Sequence, residues 1–254
     1  MNGSSVLNLG PLTWVLLPVL LLLAAVLWRV ALGRDPRQIV LAGVRAFAQL
    51  AVVALVIAWL SGRGPLAFAF VALMFAVAVW TCGRRIAPDG RWWLAAVPLA
   101  VGVVPVAALM FVSGVLPVDA LAIIAVLGQQ IGGAMSTTTL AGRRIRDELG
   151  QRFGEVEAAA ALGLDWPRAR GMVAGPVAGE AVLPSIDQTR TAGMVTLPGA
   201  FVGMILGGAS AVDAGIVQLL VLVSLLAVNA ATAGTTLWLC NRDAFRTPAR
   251  AGSG

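Results

Sequence analysis

The feature that most restricts the fold of this chain is a series of long apolar segments that carry almost no charge. Seven of them follow one another, at 12–28, 39–60, 66–82, 92–116, 120–142, 192–208 and 214–240. A helix needs about 20 apolar residues to cross a bilayer, and backbone groups in lipid must be hydrogen-bonded internally. We therefore expect an all-α integral membrane protein with about seven transmembrane helices.

The distribution of basic residues predicts the orientation of these helices. All 18 basic residues are arginine, and 16 of them fall in the connections 29–38, 83–91, 143–191 and 241–254. Arginine-rich connections stay in the cytoplasm. We expect the N-terminus outside, the C-terminus in the cytoplasm, and a single transmembrane domain over residues 1–254.

Absent residue types exclude several classes of protein. The chain has no histidine, lysine or tyrosine, which rules out a His-ligated zinc site, a Ser-His-Asp triad and the lysine of a P-loop ATPase. No motif of an intramembrane protease or lipid-modifying enzyme is present. We expect a protein without catalytic residues or a bound cofactor of its own. The net charge of +6 indicates arginine-rich cytoplasmic connections, not nucleic-acid binding.

Polar residues at membrane depth suggest a transport path. Gln129, Gln130 and the run Ser136–Thr139 make the fifth segment the most polar one, and Gln218 and Asn229 lie in the last segment. Glu180, Asp187 and Arg190 lie in an otherwise apolar stretch, where Asp187 and Arg190 are spaced for a helical ion pair. Either these groups form interhelical hydrogen bonds or, together with Met135, they line a path for a polar solute.

Small residues recur every fourth position in the second half of the chain. The sets are Gly128, Gly132 and Ser136; Gly171, Gly175 and Gly179; and Gly199, Gly203 and Gly207. Such faces let helices approach closely in lipid. They predict tight helix packing or a dimer contact, above all at Gly199, Gly203 and Gly207.

The connection 143–191 carries a motif that suggests a function. Its first part, 143–161, is predicted to be helical and ends in Glu157-Ala158-Ala159-Ala160-Ala161-Leu162-Gly163, with Val173 and Pro176 following. This resembles the EAA loop of ABC-transporter permeases. The resemblance implies a cytoplasmic coupling loop at about 143–191 whose residues Glu157, Ala158, Ala159, Gly163 and Pro176 engage a separate P-loop ATPase subunit. That subunit would bind ATP and Mg.

A longer stretch is similar to one family of these permeases. Residues 192–208, AGMVTLPGAFVGMILGG, and shorter stretches around RAFAQL (45–50) and Met135 resemble the iron-export permeases of bacterial ABC transporters, the FetB type. That family also includes a plant aluminium-tolerance transporter subunit. The resemblance implies metal export, iron first, by a homodimeric permease.

Several points remain open at this stage. Gly133, Asp187 and Met204 depart from the family pattern near candidate substrate positions, and the metal ligands stay unknown. Glu180 and Asp187 would offer oxygen ligands, whereas the arginines favour an anionic substrate. The arginine-only composition is typical of a GC-rich genome, so we expect the bacterial plasma membrane. The alternative is a secondary transporter or channel for a small ion or metabolite.

Overall fold

The computed structural model describes residues 10–60, 64–88, 91–117 and 119–245. The chain divides into two units after Ser61. The termini at 1–9 and 246–254 lie outside the described residues, and the orientation of the chain in the membrane stays a prediction. So does the single domain over residues 1–254.

The first unit is a pair of helices, α1 (Pro11–Leu32) and α2 (Arg37–Leu60). Helix α1 ends at Gly33, whose φ of +61° is a conformation that favours glycine. The two helices contact each other where Leu21 lies against Gly43 and where Trp14 meets Phe47 edge to face, with ring centroids 6.4 Å apart. Most described side chains of both helices are exposed within this unit, as expected of helices that face lipid or another chain.

The second unit contains the remaining helices. They are α3 (Gly64–Ile86), a 3-10 turn at Trp92–Ala95, α4 (Ala96–Val112), α5 (Ala120–Gln151), α6 (Phe153–Ala161), α7 (Trp166–Glu180), α8 (Leu183–Thr191), α9 (Gly199–Leu206) and α10 (Ala211–Asn241). Apart from an isolated bridge between Ala192 and Thr196, all regular structure in the described residues is helical. The predicted helix at 143–161 is observed with one break, at Arg152 between α5 and α6.

Six helices within the described residues are long and apolar enough to cross a membrane. They lie at Pro11–Leu32, Arg37–Ile57, Leu66–Ile86, Trp92–Val112, Ala120–Gln151 and Ala211–Asn241. The all-α membrane class is therefore confirmed, with helices at six of the seven predicted segments.

The prediction of a continuous transmembrane helix at 192–208 is wrong. Only Gly199–Leu206 is helical there, and eight residues at about 1.5 Å each span less than half of a hydrocarbon core of about 30 Å. The helix cannot start earlier because Gly193 has a φ of +86° and a turn forms on the carbonyl of Thr191. Pro198 then serves as the N-cap residue.

Contacts between the helices show how the chain returns through the bundle. Met74 lies at Gly128 and Ile86 at Gly142, so α3 and α5 run in parallel. Gln130 bonds Ser224, and further along both helices Ile145 packs in the same buried cluster as Leu239 and Cys240, so α5 and α10 are parallel too.

Because α5 and α10 run in the same direction, the chain between them must return from the end of α5 to the start of α10. Gly171 lies at Asn241, Ser185 bonds Asn229, and Phe201 lies near Gly215. Helices α7, α8 and α9 therefore pass back along α10 in three steps, and 166–191 packs on α10 instead of forming an irregular loop.

Candidate functional site

A cavity of about 330 Å³ lies between α5, the region around α8, and α10. Its polar lining residues are all uncharged: Gln129, Ser136, Thr137, Ser185, Gln188 and Asn229. Gly132, Gly133, Leu140, Ala181, Pro184 and Leu225 complete the wall. The fold brings two of the predicted path residues, Gln129 and Ser136, to this one cavity, and their role in transport stays a prediction.

The geometry of α5 explains why one side of the cavity is polar. Gln129, Gly132, Gly133 and Ser136 follow at intervals of three and four residues, so they share one helical face. Gly133 lets α10 approach, because a Cβ at this position would lie 2.4 Å from Cδ1 of Leu225.

Asn229 is the polar centre of the α10 side. Its side chain is 1% exposed, and its Nδ2 donates a hydrogen bond of 2.5 Å to Oγ of Ser185 on α8. Its Oδ1 has no hydrogen-bond partner among the described residues. A buried polar atom without a partner is energetically unfavourable, so this oxygen is available to a hydrogen-bond donor in the cavity.

Gln130 and Met135 lie outside this cavity. Gln130 is fully buried on another face of α5, where its Nε2 donates to Sδ of Met110 at 3.2 Å and Oγ of Ser224 at 3.3 Å. Met135 packs against the buried cluster that contains Cys82. Both side chains join helices of the bundle to one another.

The predicted charged residues of the path form ion pairs beside the cavity. Glu180 pairs with Arg144 of α5, and Asp187 pairs with Arg190 at 3.8 Å, as their spacing predicts. None of the four lines the cavity. No group of three Asp, Glu, Cys or His side chains that would hold a metal ion occurs among the described residues.

The Arg144–Glu180 ion pair lies next to one end of the cavity. Leu140 and Ala181 line the cavity, Arg144 follows Leu140 by one helical turn, and Glu180 directly precedes Ala181. The pair therefore joins α5 to the end of α7 next to the cavity, on the side toward the arginine-rich ends of the helices.

A second candidate feature is the short helix α6, which contains three of the predicted coupling residues, Glu157, Ala158 and Ala159. It ends at Gly163 with a φ of +100°. The N–H of Gly163 donates to the carbonyl of Ala160, and that of Leu164 donates to Ala159. These bonds form a Schellman motif. The helix end that the Ala-rich run and the glycine predict is therefore present.

Helix α6 has one anchored face and one exposed face. Val156 and Ala159 are buried in the cluster that includes Val173 of α7. Glu157 and Ala158 are exposed, as is Leu162, which is 84% exposed. The outward face thus offers small side chains, one carboxylate and one large apolar side chain to another molecule. Pro176 lies within α7 and is exposed.

Helices α6 and α7 form a hairpin over 153–180, and aromatic and ionic contacts hold it in place. Phe153 stacks on Trp166 with ring centroids 6.3 Å apart. Arg152 binds both Glu148 at 2.9 Å and Glu155 at 2.6 Å across the α5–α6 break. The hydrogen bonds from Arg152 lower the pKa of Glu155 below its ordinary value of 4.5.

The predicted packing role of Gly199, Gly203 and Gly207 has no counterpart between helices of the described chain. A Cβ at Gly199 or Gly203 would meet no atom within 4 Å, and one at Gly207 would meet only the preceding turn. The alternative of a dimer contact stays a prediction. Close helix approach occurs instead at Gly102, where a Cβ would lie 2.8 Å from the carbonyl oxygen of Val228.

Sequence reasoning missed part of the cavity wall. Ser185 and Gln188 lie three residues apart on α8 and so share a face, which is a signal that could have placed them together. Nothing in the sequence indicates that Ser185 meets Asn229, because 44 residues separate them.

Comparison with known proteins places the chain in a family. The model of the Uncharacterised protein family UPF0014 matches residues 11–245. UPF0014 membrane protein STAR2 of Oryza sativa subsp. japonica is 32% identical over 200 residues, which cover 77% of this chain and 70% of that protein. Protein ALUMINUM SENSITIVE 3 of Arabidopsis thaliana is 30% identical over 202 residues, covering 77% and 73%.

A bacterial relative is similar over the same extent. UPF0014 membrane protein YjkA of Bacillus subtilis is 27% identical over 199 residues, covering 77% of this chain and 80% of that protein. No solved structure matches the chain. The family match extends through both units of the fold. The chain therefore belongs to UPF0014, a family with relatives named as membrane proteins in plants and bacteria.

Proposed function

We propose that this protein is the membrane-spanning permease subunit of an ABC transporter, whose ATP hydrolysis takes place on a separate P-loop ATPase subunit. The observation that carries the proposal is the α6–α7 hairpin. One face of α6 is buried against α7, and Glu157, Ala158 and Leu162 are exposed to a partner. Its sequence resembles the EAA loop at the positions Glu157 to Gly163. ATP and Mg bind to the partner subunit in this proposal.

The cavity is the substrate passage in this proposal. A second cavity of about 190 Å³ lies nearer the start of α10 and is lined by Thr189, Phe201 and Gln218 among others. Gln188 lines the first cavity and Thr189 the second, so the two are adjacent across α8. Movement of the short helices α7 to α9 against α10 would join the cavities and switch access from one side to the other.

The way α7 joins both features suggests how they are coupled. Val173 of α7 packs in the same buried cluster as Val156 of α6, and α7 ends at Glu180, next to the cavity residue Ala181. A displacement of α6 by the ATPase subunit would therefore reach the cavity through one rigid helix.

The proposed cargo is a metal, iron first, and the direction is export. Support comes from the resemblance to iron-export permeases and from a relative whose name, ALUMINUM SENSITIVE 3, refers to a metal. The uncharged cavity wall suits a hydrated or chelated ion, because amide and hydroxyl groups bond its water or ligand shell without replacing it. The protein acts in the plasma membrane of a bacterium, as a homodimer.

Co-purification with an ATPase subunit tests the central proposal. The tagged permease is expressed with the P-loop ATPase encoded beside it, and we expect the ATPase to be captured. Glu157→Arg reverses the exposed charge of α6, and Ala158→Trp adds bulk to its outward face; both should abolish capture without unfolding the protein. Asp35→Arg reverses an exposed carboxylate in another arginine-rich connection and should leave capture unchanged.

The outcomes separate the proposals from one another. Failure of the wild-type protein to bind the ATPase would remove the ABC assignment and favour a secondary transporter. Capture that persists in both α6 variants would assign the contact to another surface. Iron is then tested separately, by efflux from proteoliposomes that contain the complex; ATP-dependent binding without iron efflux would overturn the cargo alone.

A further inference from the structure

Three arginines meet where α3 and α5 leave their apolar stretches. Arg85 lies in the last turn of α3, and Arg143 and Arg146 lie on α5 just after the apolar segment 120–142. The contact between Ile86 and Gly142 places the end of α3 beside the end of the apolar stretch of α5. Together with Asp147, the three arginines line an open cavity of about 390 Å³.

These three arginines have no ion-pair partner among the described residues, whereas the other arginines of 143–191 are all paired. Arg144, Arg152, Arg168, Arg170 and Arg190 each form a salt bridge with a carboxylate. Arg85, Arg143 and Arg146 form none with the described residues, although Asp147 lines the same cavity. Guanidinium groups that converge without a partner repel one another. The arrangement therefore favours a bound anion that arginine can hold bidentately.

The position of the cavity indicates where the anion comes from. Arg85 ends the apolar span Leu66–Ile86. The adjacent turn Trp92–Ala95 packs on α3 at Gly83 and exposes Trp93, which is 57% accessible. Tryptophan is enriched at the membrane–water interface, and basic pockets between helix ends on the cytoplasmic side suit anionic lipid headgroups. A phosphate at this level belongs to a lipid of the same leaflet.

We propose that Arg85, Arg143 and Arg146 bind the phosphodiester of an anionic phospholipid of the phosphatidylglycerol type. Three guanidinium groups and one carboxylate suit a singly charged phosphodiester. Asp147 would repel the second charge of a phosphate monoester and would accept a hydrogen bond from a headgroup hydroxyl. The cavity has room for about a dozen water molecules at about 30 Å³ each, enough for a hydrated headgroup. The site is separate from the polar cavity at Asn229 and independent of the transported cargo.

Calorimetric titration of the purified full-length protein in a maltoside detergent tests the site. The ligands are dihexanoyl-phosphatidylglycerol, dihexanoyl-phosphatidylcholine and inorganic phosphate. We expect saturable binding of the first and little of the other two. The variant Arg143→Gln with Arg146→Gln should bind phosphatidylglycerol about 30-fold more weakly, since each arginine that contacts an anionic headgroup contributes roughly fivefold.

A neighbouring arginine provides the matched control. Arg84→Gln removes one charge from the same turn of α3 but leaves the cavity lining intact, so its affinity should match the wild type. Arg85→Gln tests the α3 side of the site if the double variant does not fold. Equal binding of phosphatidylglycerol and phosphatidylcholine, or equal affinity in the cavity variants and Arg84→Gln, would overturn the proposal. Tight binding of inorganic phosphate would overturn the lipid assignment and show a site for free phosphate.

Discussion

Filling the polar cavity from its own wall separates its role in transport from its role in folding. Gly132 and Gly133 are neighbours on α5, and both line the cavity. A Cβ at Gly132 would meet no atom within 4 Å, whereas one at Gly133 would lie 2.4 Å from Cδ1 of Leu225 and 3.1 Å from Oδ1 of Asn229. We predict that Gly132→Leu blocks transport in a stable protein, and that Gly133→Leu lowers the stability itself.

The magnitudes follow from the space at each position. A cavity of about 330 Å³ holds about eleven waters at about 30 Å³ each, so the four carbons of leucine remove roughly a third of it. Glycine inside a helix is about 0.5–1 kcal/mol less favourable than alanine, and leucine is close to alanine. The free energy of unfolding of Gly132→Leu should therefore stay level or rise by up to about 1 kcal/mol.

At Gly133 the steric term outweighs that gain. Overpacking a closely packed position costs about 1–3 kcal/mol. At about 2–4 °C per kcal/mol for a chain of this size, Gly133→Leu should melt roughly 2–12 °C below Gly132→Leu. Thermal unfolding of both purified variants, followed by tryptophan fluorescence, measures the difference.

Transport is measured on the same preparations, in proteoliposomes with the ATPase subunit. Gly150→Leu is the control, because Gly150 lies on the same helix with open space around it and does not line the cavity. We expect transport to be lost in Gly132→Leu and kept in Gly150→Leu. Normal transport by Gly132→Leu would show that the solute does not use this cavity. A melting temperature of Gly132→Leu below that of Gly133→Leu would refute the packing argument.

Three further predictions concern other parts of the second unit. Gly83→Ala should lower the free energy of unfolding by about 1–3 kcal/mol, because its Cβ would lie 2.1 Å from the main-chain carbonyl oxygen of Trp92. Chemical denaturation measures this change, and an unchanged midpoint would contradict the prediction. Arg144→Glu and Glu180→Arg should each impair transport, and the double exchange should restore it because the ion pair can form again with its charges swapped. Stability should change by less than about 1 kcal/mol, because both groups are half exposed. No recovery of transport in the double variant would exclude a role of this ion pair in transport. The pKa of Glu155 is lowered in the folded state by Arg152, so the stabilisation of α6 is present at neutral pH and is lost as the pH falls through the folded pKa. The protection factors of the α6 amides, which correct hydrogen exchange for its intrinsic pH dependence, should therefore fall on acidification in the wild type and change less in Glu155→Gln. Equal pH dependence of the protection factors in both proteins would contradict this.

The membrane class of the protein could be predicted because it depends on local composition. Apolar segments such as 214–240 must be helical in lipid whatever they pack against, and six of the seven predicted segments contain such helices. The remaining segment, 192–208, is also apolar, but Gly193 and Pro198 divide it into a turn and a short helix. Average hydrophobicity does not depend on such backbone breaks, so it predicts a transmembrane helix where the backbone does not form one.

The candidate site was predictable only in part. Gln129 and Gln130 are adjacent and equally polar, yet one lines the cavity and the other is buried against Met110 and Ser224. Successive residues of a helix point in directions about 100° apart, and only the positions of the neighbouring helices decide which direction leads to a cavity. Ser185 and Asn229 meet for the same reason, across many residues of intervening chain.

The sequence by itself thus determined that this protein lies in a lipid bilayer, where most of its helices are, and that a helix ends at Gly163. Each of these features depends on residues that are close together in the chain. The tertiary structure alone decided that α5 and α10 run in parallel, that three short helices return between them, and that neutral side chains from all three regions enclose one cavity. These features depend on contacts between distant residues, and such contacts form only where side chains of matching shape, such as Gly133 and Leu225, allow the helices to approach.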